Sequence, residues 1–237
     1  MKNKTSLSEK NSPRRIRSFV RREGRMTPGQ QKAFETLLAR YEINSVQKPI
    51  DFYQVFGREA PRILEIGFGM GQSLLEMAQQ HPEQDYLGIE VHRPGVGALL
   101  ARIEKHNLAN IRICCTDAVE ILQHQIPDSS IDAVHLFFPD PWPKKRHNKR
   151  RIVQTAFMEQ IFRILKPGGQ FLMATDCEDY AEYALSVVSS LSGFKNAADN
   201  GTFIPRPTQR PLTKFEQRGQ RLGHEIRDLL FIKIGEH

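Results

Sequence analysis

Apolar and polar residues alternate with two different periods along most of this chain. Six short runs rich in Ile, Leu, Val and Phe are typical of buried strands, and they occupy residues 62–66, 86–90, 111–114, 131–137, 170–174 and 229–234. Between them the apolar positions recur every three to four residues, which predicts helices at 72–80, 95–106, 118–124, 151–165 and 178–190. This alternation predicts an α/β protein with a doubly wound, mostly parallel sheet and helices on both of its faces.

The remaining segments have weaker patterns. Residues 30–41 have helical spacing, and residues 49–60 are predicted to be a connector or a short helix. The sequence Lys-Pro-Gly-Gly at 166–169 predicts the end of the preceding helix. A chain of 237 residues with ordinary globular composition can bury one large core, so we expect residues 26–237 to form a single domain.

The positive charge of the chain is concentrated at its N-terminus. Residues 1–25 contain nine Lys and Arg against two Glu, which accounts for the whole net charge of +7. Such a basic segment with few apolar residues cannot bury enough surface to fold alone, so we expect a flexible arm. A nucleic acid is the favoured partner, with a solubilising tail as the alternative. A membrane surface is disfavoured because the arm has no clear amphipathic face.

The composition argues against several other classes of protein. The apolar runs fall short of the roughly 20 residues that span a bilayer, and the polar start of the chain does not resemble a signal peptide. The three cysteines, at 114, 115 and 177, form no C-x-x-C pair, so neither a disulfide framework nor a bound metal is expected. We therefore expect a cytoplasmic protein that does not act at a membrane. The sequence leaves the oligomeric state undetermined, and a monomer is favoured.

A glycine-rich turn follows the first predicted strand. Gly67, Gly69 and Gly71 allow a tight turn and a close approach of a ligand to the backbone. Their G-x-G-x-G spacing differs from the G-x-G-x-x-G of dinucleotide-binding turns. Glu65, just before the glycines, would repel a phosphate and suits a cationic amino acid or a sulfonium.

Acidic residues also follow the next two predicted strands. Glu90 ends the strand 86–90 and could accept hydrogen bonds from both ribose hydroxyls, while Asp117 is placed to meet an adenine amino group. Ligands of such sheets bind at the carboxyl ends of the strands, where these acids lie. Together they resemble the pattern of class I S-adenosylmethionine-dependent methyltransferases. This resemblance implies S-adenosylmethionine as the cofactor and a cofactor site that includes Ala118.

The loop after the strand 131–137 carries the most specific pattern. Three prolines restrict the backbone around Asp140 and Trp142, so this carboxylate and this ring are expected to be held in fixed positions. Six Lys and Arg follow within residues 144–151. The structural alternative is a solvated charge run next to a packed tryptophan.

The ten residues 138–147, Phe-Pro-Asp-Pro-Trp-Pro-Lys-Lys-Arg-His, resemble the signature of bacterial tRNA (guanine-N7-)-methyltransferases, which modify guanosine 46 in the variable loop. The similarity extends from about residue 60 to the C-terminus and includes the segments 174–176 and 213–216. It implies a seven-stranded Rossmann-like sheet, a tRNA substrate and N7-methylguanosine as the product.

The resemblance also implies roles for individual residues. Asp140 would be the catalytic residue and would line the cofactor site together with the three acids at the other strand ends. The residues expected to contact the substrate are Lys144, Asp176, Thr213, Lys214, Phe215 and Glu216. Those expected to lie on the RNA are Arg146, His147, Asn148, Lys149, Arg150 and Arg151.

These residue types suit methylation at N7, whose lone pair lies in the plane of the ring and carries no proton. Alignment and stabilisation of charge are then needed, without a general base at N7. We expect Asp140 to accept hydrogen bonds from the N1–H or amino edge of the guanine. Asp176 could share this role, and Phe138 or Trp142 could stack on the base.

Three other functions are compatible with parts of this pattern. The protein could methylate another substrate, such as adenine N6 or a small molecule, although the basic stretch disfavours small substrates. It could also be a non-catalytic RNA-binding protein on a methyltransferase scaffold. A dehydrogenase is disfavoured by the glycine spacing and by Glu65.

Overall fold

The computed structural model describes residues 24–43 and 48–235 of the chain. The predicted arm therefore lies outside the described residues, apart from Gly24 and Arg25. The strands in the described part are β1 (Arg62–Ile66), β2 (Asp85–Ile89), β3 (Ile111–Cys114), β4 (Ile131–Phe137), β5 (Leu165–Thr175), β6 (Phe194–Asn196) and β7 (Arg227–Lys233). The α-helices in the same part are α1 (Pro28–Tyr41), α2 (Phe52–Phe56), α3 (Gln72–Gln80), α4 (Arg93–Lys105), α5 (Ala118–His124), α6 (Thr155–Ile164), α7 (Glu178–Ser189) and α8 (Lys214–Arg221).

The strands form one seven-stranded sheet in the order β3-β2-β1-β4-β5-β7-β6. The first five strands in this order are parallel, whereas β7 pairs antiparallel with both β5 and β6. The chain builds the sheet outwards from β1 in one direction and from β4 in the other, so its winding reverses between these two central strands. The predicted doubly wound α/β fold is confirmed, and the reversal marks the place where such sheets bind ligands.

Side chains of each strand alternate between two apolar layers, one on each face of the sheet. In β1, Leu64 and Ile66 belong to one layer and Ile63 belongs to the other. Helices α5, α6 and α7 cover the first layer, while α1, α3 and α4 cover the second. The parallel strands are therefore buried on both faces, which explains their nearly continuous apolar runs. Within the described residues, no helix combines the length and apolarity needed to cross a membrane.

The helix predicted at 151–165 begins later than its apolar pattern indicates. Residues Lys145–Arg150 form a 3-10 helix, residues 151–154 belong to no helix or strand, and α6 starts only at Thr155. Within this stretch the backbone N–H of Val153 donates to the hydroxyl of Tyr180 at 3.3 Å. The Lys-Pro-Gly-Gly segment does not follow the helix as a separate turn but lies within β5, at an irregularity in the pairing with β4.

The pattern of the sequence did not indicate β6 or α8. The strand β6 has only three residues and lies at the edge of the sheet, where few apolar positions are needed. The helix α8 has the sequence KFEQRGQR, which contains one apolar side chain and no apolar stripe. It is stabilised by polar contacts of Glu216 with Arg206 and Arg210, which precede the helix, and a periodicity of apolar residues cannot reveal such contacts.

Candidate active site

Acidic residues follow or end five neighbouring strands at the same edge of the sheet. In the order of the strands across the sheet, they are Asp117 after β3, Glu90 after β2, Glu65 in β1, Asp140 after β4 and Asp176 after β5. All five strands are parallel, so their carboxyl ends meet at this edge. The structure therefore places the predicted acids along one edge, on both sides of the point where the winding reverses.

The glycine turn after β1 leaves its backbone open to a ligand. Gly67 and Gly69 have φ values of 74° and 56°, in the left-handed region that glycine adopts without strain. A Cβ atom added at either residue would meet nothing within 4 Å. On the opposite side the turn is closely packed, because a Cβ atom on Gly95 of α4 would lie 2.0 Å from the carbonyl oxygen of Gly69. The turn is thus supported from one side and open on the other.

Glu65 is a buried carboxylate with only one of its two oxygens in a hydrogen bond. Its side chain accepts a hydrogen bond from Ser73 Oγ at 2.5 Å, and its exposed fraction is 2%. The oxygen Oε2 has no partner among the described residues. Burial raises the pKa of Glu65 to about 7, with a further rise from the negative charge of Glu90 and an opposing effect of the Ser73 hydrogen bond. A buried carboxylate of this kind fits a cationic ligand group, which would restore the lost solvation.

Backbone N–H groups orient the next two acids of the edge. Glu90 accepts from the N–H of Gly69 at 2.7 Å with one oxygen and from those of Val91 and His92 with the other. Asp117 caps α5 by accepting from the N–H of Val119 at 3.1 Å. A carboxylate has about four acceptor positions, so each side chain keeps capacity for ligand hydroxyl or amino groups.

The loop after β4, which the sequence predicted to be stiff, contains two residues with a strained backbone. Phe138 and Trp142 have φ values of 51° and 44°, which costs a non-glycine residue on the order of 1–3 kcal/mol. Asp140 lies between them with an exposed side chain. The ring of Trp142 packs within this region, because the guanidinium of Arg150 lies 4.9 Å from its centroid. The sequence predicted the stiffness from prolines but not the strain at the two aromatic residues.

Most of the basic run after this loop is accessible. Lys144, Lys145, Arg146 and Lys149 are exposed, and His147, Asn148 and Arg150 are half-buried. The ring of His147 meets the edge of the Trp142 ring at 5.8 Å between centroids. This segment therefore presents several positive charges beside Asp140.

Arg151, for which the family resemblance implies a contact with RNA, is buried in this structure. Its exposed fraction is 2%, and its Nε donates to the carbonyl oxygen of Pro141 at 3.0 Å. Its guanidinium also forms an ion pair with Asp179 and lies over the rings of two tyrosines in α7. A guanidinium enclosed in this way cannot reach a phosphate. Arg151 instead attaches the loop of Asp140 to the start of α7.

The segment 213–216 also contains both exposed and buried side chains. Thr213 caps α8 by accepting from the N–H of Glu216 at 3.1 Å, and Lys214 and Phe215 are exposed. Glu216 is 0% exposed and is bound by Arg206 and Arg210, with its Oε2 lying 2.6 Å from Nη1 of Arg210. Glu216, for which the family resemblance implies a contact with the substrate, therefore has its partners inside the protein and anchors α8.

Arg210 is a buried residue of this region that the sequence did not indicate. Its guanidinium bonds Glu216 of α8 and Asp228 of β7, with an Nη2–Oδ2 distance of 3.0 Å to Asp228. It also lies 5.8 Å from the ring centroid of Phe138. One arginine thus connects β7, α8 and the loop of Asp140. In the sequence it stands in an Arg-Pro-Leu-Thr segment that carries no pattern of a buried residue.

Two further contacts bring α8 and the residues after it to the same edge. The rings of Phe138 and Phe215 are stacked with 6.4 Å between centroids and 21° between planes. His224, after α8, has its Nδ1 3.5 Å from Oδ2 of Asp176. Among the described residues no group of three or more His, Cys, Asp or Glu could hold a metal ion.

Comparison with known proteins agrees with this arrangement. Residues 59–229 match the model of a family described as "Putative methyltransferase". The chain is 56% identical over 230 residues to the tRNA (guanine-N(7)-)-methyltransferase of Pseudomonas putida, covering 97% of this chain and 96% of that protein. It is 56% identical over 218 residues to the protein of the same name from Serratia proteamaculans, covering 92% and 91% of the two chains.

Solved structures with low sequence identity share the fold. The 16S rRNA methyltransferase KamB superposes with a TM-score of 0.56 at 16% identity, covering 81% of this chain and 97% of the other. The antibiotic-resistance methyltransferase Kmr gives 0.55 at 13% identity, covering 82% and 96%. The matched family model places the chain among the methyltransferases, and the fold is the one that these solved methyltransferases share. Within this class, the chain belongs to the bacterial tRNA (guanine-N(7)-)-methyltransferase family.

Proposed function

We propose that this protein transfers a methyl group from S-adenosylmethionine to N7 of guanosine 46 in tRNA. The proposal rests above all on one observation: Asp140 is held exposed on a strained loop, between the cofactor-type acids of β1 to β3 and a run of accessible cations. The relatives named tRNA (guanine-N(7)-)-methyltransferase support the substrate class. The choice of position 46 comes from the resemblance of the loop sequence to the family signature.

The residues present fit the proposed cofactor. Glu65 would bind the ammonium group of the methionine part through its unpartnered Oε2, and the open turn at Gly67 and Gly69 would lie along the ligand. Glu90 would accept the ribose hydroxyls, while Asp117 and the backbone of Ala118 would contact the adenine. When bound, S-adenosylmethionine supplies an electrophilic methyl group, which the N7 lone pair takes while the carbon–sulfur electron pair goes to sulfur.

In the proposed mechanism the protein aligns and stabilises without removing a proton from N7. Asp140 accepts hydrogen bonds from N1–H or the amino group of the guanine, which orients the base and stabilises the positive charge that develops on it. Asp176, at the neighbouring strand end, would share this role. Phe138 is stacked on Phe215 and lies under Arg210, and Trp142 packs against Arg150, so both rings have partners within the protein. Lys144 and Lys214 would neutralise nearby phosphates, and residues 1–25 would add further cations.

The modified nucleotide tests this function directly. The purified full-length protein should place labelled methyl groups from S-adenosylmethionine on tRNA, and nucleoside mass spectrometry should identify N7-methylguanosine at position 46. Nuclease mapping of tRNA from a strain without the gene should show that the same position is unmodified. Label in another nucleoside, such as N6-methyladenosine, would favour the alternative of a methyltransferase for a different base.

Replacing Glu65 by glutamine should weaken S-adenosylmethionine binding by about 10- to 100-fold near pH 7.5, because a charge-assisted hydrogen bond in a buried site contributes about 1.5–3 kcal/mol. The free carboxyl has a pKa of about 7. Binding of a cation favours its ionised form, so the affinity of the parent should rise as pH increases towards 7 and then level off. Isothermal titration calorimetry at several pH values measures both effects.

The Glu65→Gln variant should lose this pH dependence between about pH 5.5 and 7.5, since it has no carboxyl that titrates there. Glu159→Gln, which removes an exposed acid from α6, provides a matched control. Its affinity should equal that of the parent at every pH. An unchanged pH profile in Glu65→Gln would show that the ammonium group does not bind at this carboxylate.

A further inference from the structure

The outer surface of α8 carries uncompensated positive charge. Lys214, Arg218 and Arg221 are exposed, and none of them pairs with an acid among the described residues. The only acid of the helix, Glu216, is buried and bound by two arginines. We call these three cations the α8 basic face. Such a face suits a polyanion, because the phosphates of RNA release bound counterions when they meet cations.

Direct contacts place the α8 basic face next to the proposed catalytic loop. Gly219 of α8 packs so closely on Asp176 that a Cβ atom added there would lie 3.0 Å from the Cβ of Asp176. At the start of the helix, the ring of Phe215 is stacked on that of Phe138. The helix therefore contacts Phe138, two residues before Asp140, while His147 and Arg150 contact Trp142, two residues after Asp140.

Three acids near α8 have their ion pairs with arginines outside the helix. Glu178 and Glu225 both bind Arg227, at 2.9 Å and 3.0 Å. Asp179 is paired with the buried Arg151. None of these three carboxylates forms an ion pair with a cation of α8, so those cations remain available to a ligand.

The inner side of α8 is anchored in the core of the protein. Glu216 joins Arg210, which is also held by Asp228 of β7, and all three side chains are buried. Thr213 fixes the start of the helix through its cap. Because these contacts hold the helix before RNA arrives, little conformational entropy is lost in placing its cations against a ligand.

We propose that the α8 basic face binds tRNA phosphates on the Phe138 side of the target guanosine, opposite the phosphates contacted by residues 144–150. This inference rests on the proposed function and extends it. It assigns RNA contacts to Arg218 and Arg221, which the family signature in the loop does not cover. The two basic segments contact the loop of Asp140 through Phe138 and through Trp142, so an RNA strand that delivers its base to Asp140 would lie within reach of both.

The salt dependence of tRNA binding tests this assignment in the full-length protein. In the Arg218→Gln/Arg221→Gln variant, the slope of log Kd against log salt should fall by about 1 to 2. The affinity at about 0.1 M salt should weaken by about tenfold, to a similar extent for different tRNAs. In methyl-transfer assays the weaker binding should appear as a higher KM for tRNA. The Arg218→Lys/Arg221→Lys variant should retain the parental slope, because a phosphate contact needs the charge rather than the guanidinium.

Lys105→Gln/Lys195→Gln is the matched control, since it removes two exposed charges away from α8 and the active edge. Its slope should equal that of the parent. If the parent methylates tRNA but the α8 variant keeps the parental slope, the inference is wrong and the proposed function stands. If the parent neither binds nor methylates tRNA, the proposed function fails and this inference fails with it. Thermal unfolding of each variant confirms that the exposed substitutions leave the fold intact.

Discussion

Replacing Asp140 by asparagine should lower kcat for tRNA methylation by about 100- to 1000-fold, the usual effect of removing one group that stabilises charge in a transition state. The amide has the shape of the carboxylate but lacks its negative charge. Its NH2 group would also face the N–H donors of the guanine edge. Single-turnover methyl transfer at saturating tRNA and S-adenosylmethionine measures this loss without a contribution from binding.

The exposure of Asp140 makes this result interpretable. Because the side chain is exposed and the loop is fixed by its prolines and by Arg151, the free energy of unfolding should change by less than about 0.5 kcal/mol. Glu159→Gln removes an exposed acid from the surface of α6 and should retain full turnover. Near-parental turnover in Asp140→Asn, with normal binding of both substrates, would remove Asp140 from the catalytic role.

Replacing Arg210 by alanine should lower the free energy of unfolding by about 3–5 kcal/mol, the usual cost of leaving buried charges without their partner. The variant would leave Glu216 and Asp228 buried without the guanidinium that binds both. Equilibrium unfolding in urea measures the change. Arg218→Ala, which removes an exposed arginine from α8, should change the free energy of unfolding by less than about 0.5 kcal/mol.

The pH dependence of this variant gives a second test. Burial already raises the pKa of Asp228 in the parent, with Arg210 acting in the opposite direction. Without Arg210 the folded-state pKa of Asp228 should lie further above its unfolded value, so the folded protein binds more protons than the unfolded chain. The variant should therefore gain stability relative to the parent as pH falls from about 7 to 5. A loss below about 1 kcal/mol at pH 7 would show that the arginine is dispensable for the anchoring of α8.

Much of the fold could be predicted because the apolar pattern is strong where the sheet is buried on both sides. The helix predicted at 72–80 has the bounds of α3, and the strands predicted at 62–66, 111–114 and 131–137 have those of β1, β3 and β4. Because the carboxyl ends of parallel strands lie at one edge of the sheet, the strand pattern was sufficient to predict that the acids share that edge. The strand β6 and the helix α8 escaped prediction because few of their residues contribute to an apolar layer.

Residues within one motif turned out to have different environments. Arg150 and Arg151 are neighbours in a basic run, yet Arg150 lies over Trp142 at the surface while Arg151 is buried against Asp179. Phe215 and Glu216 are also neighbours, and one is exposed while the other is enclosed by two arginines. Resemblance to a family assigned similar roles to both members of each pair, because a motif does not show which side chains point inward.

The order of apolar and polar residues by itself determined the layered sheet, its parallel core and the edge at which the acids and the glycine turn lie. Only the tertiary structure decided which charged side chains stay exposed and which are buried with partners inside the protein. The physical reason is that burying a charged arginine costs free energy unless partners inside the protein offset its lost solvation. The partners of Arg151 and Arg210 come from α7, α8 and β7, which are distinct elements brought together only when the chain folds.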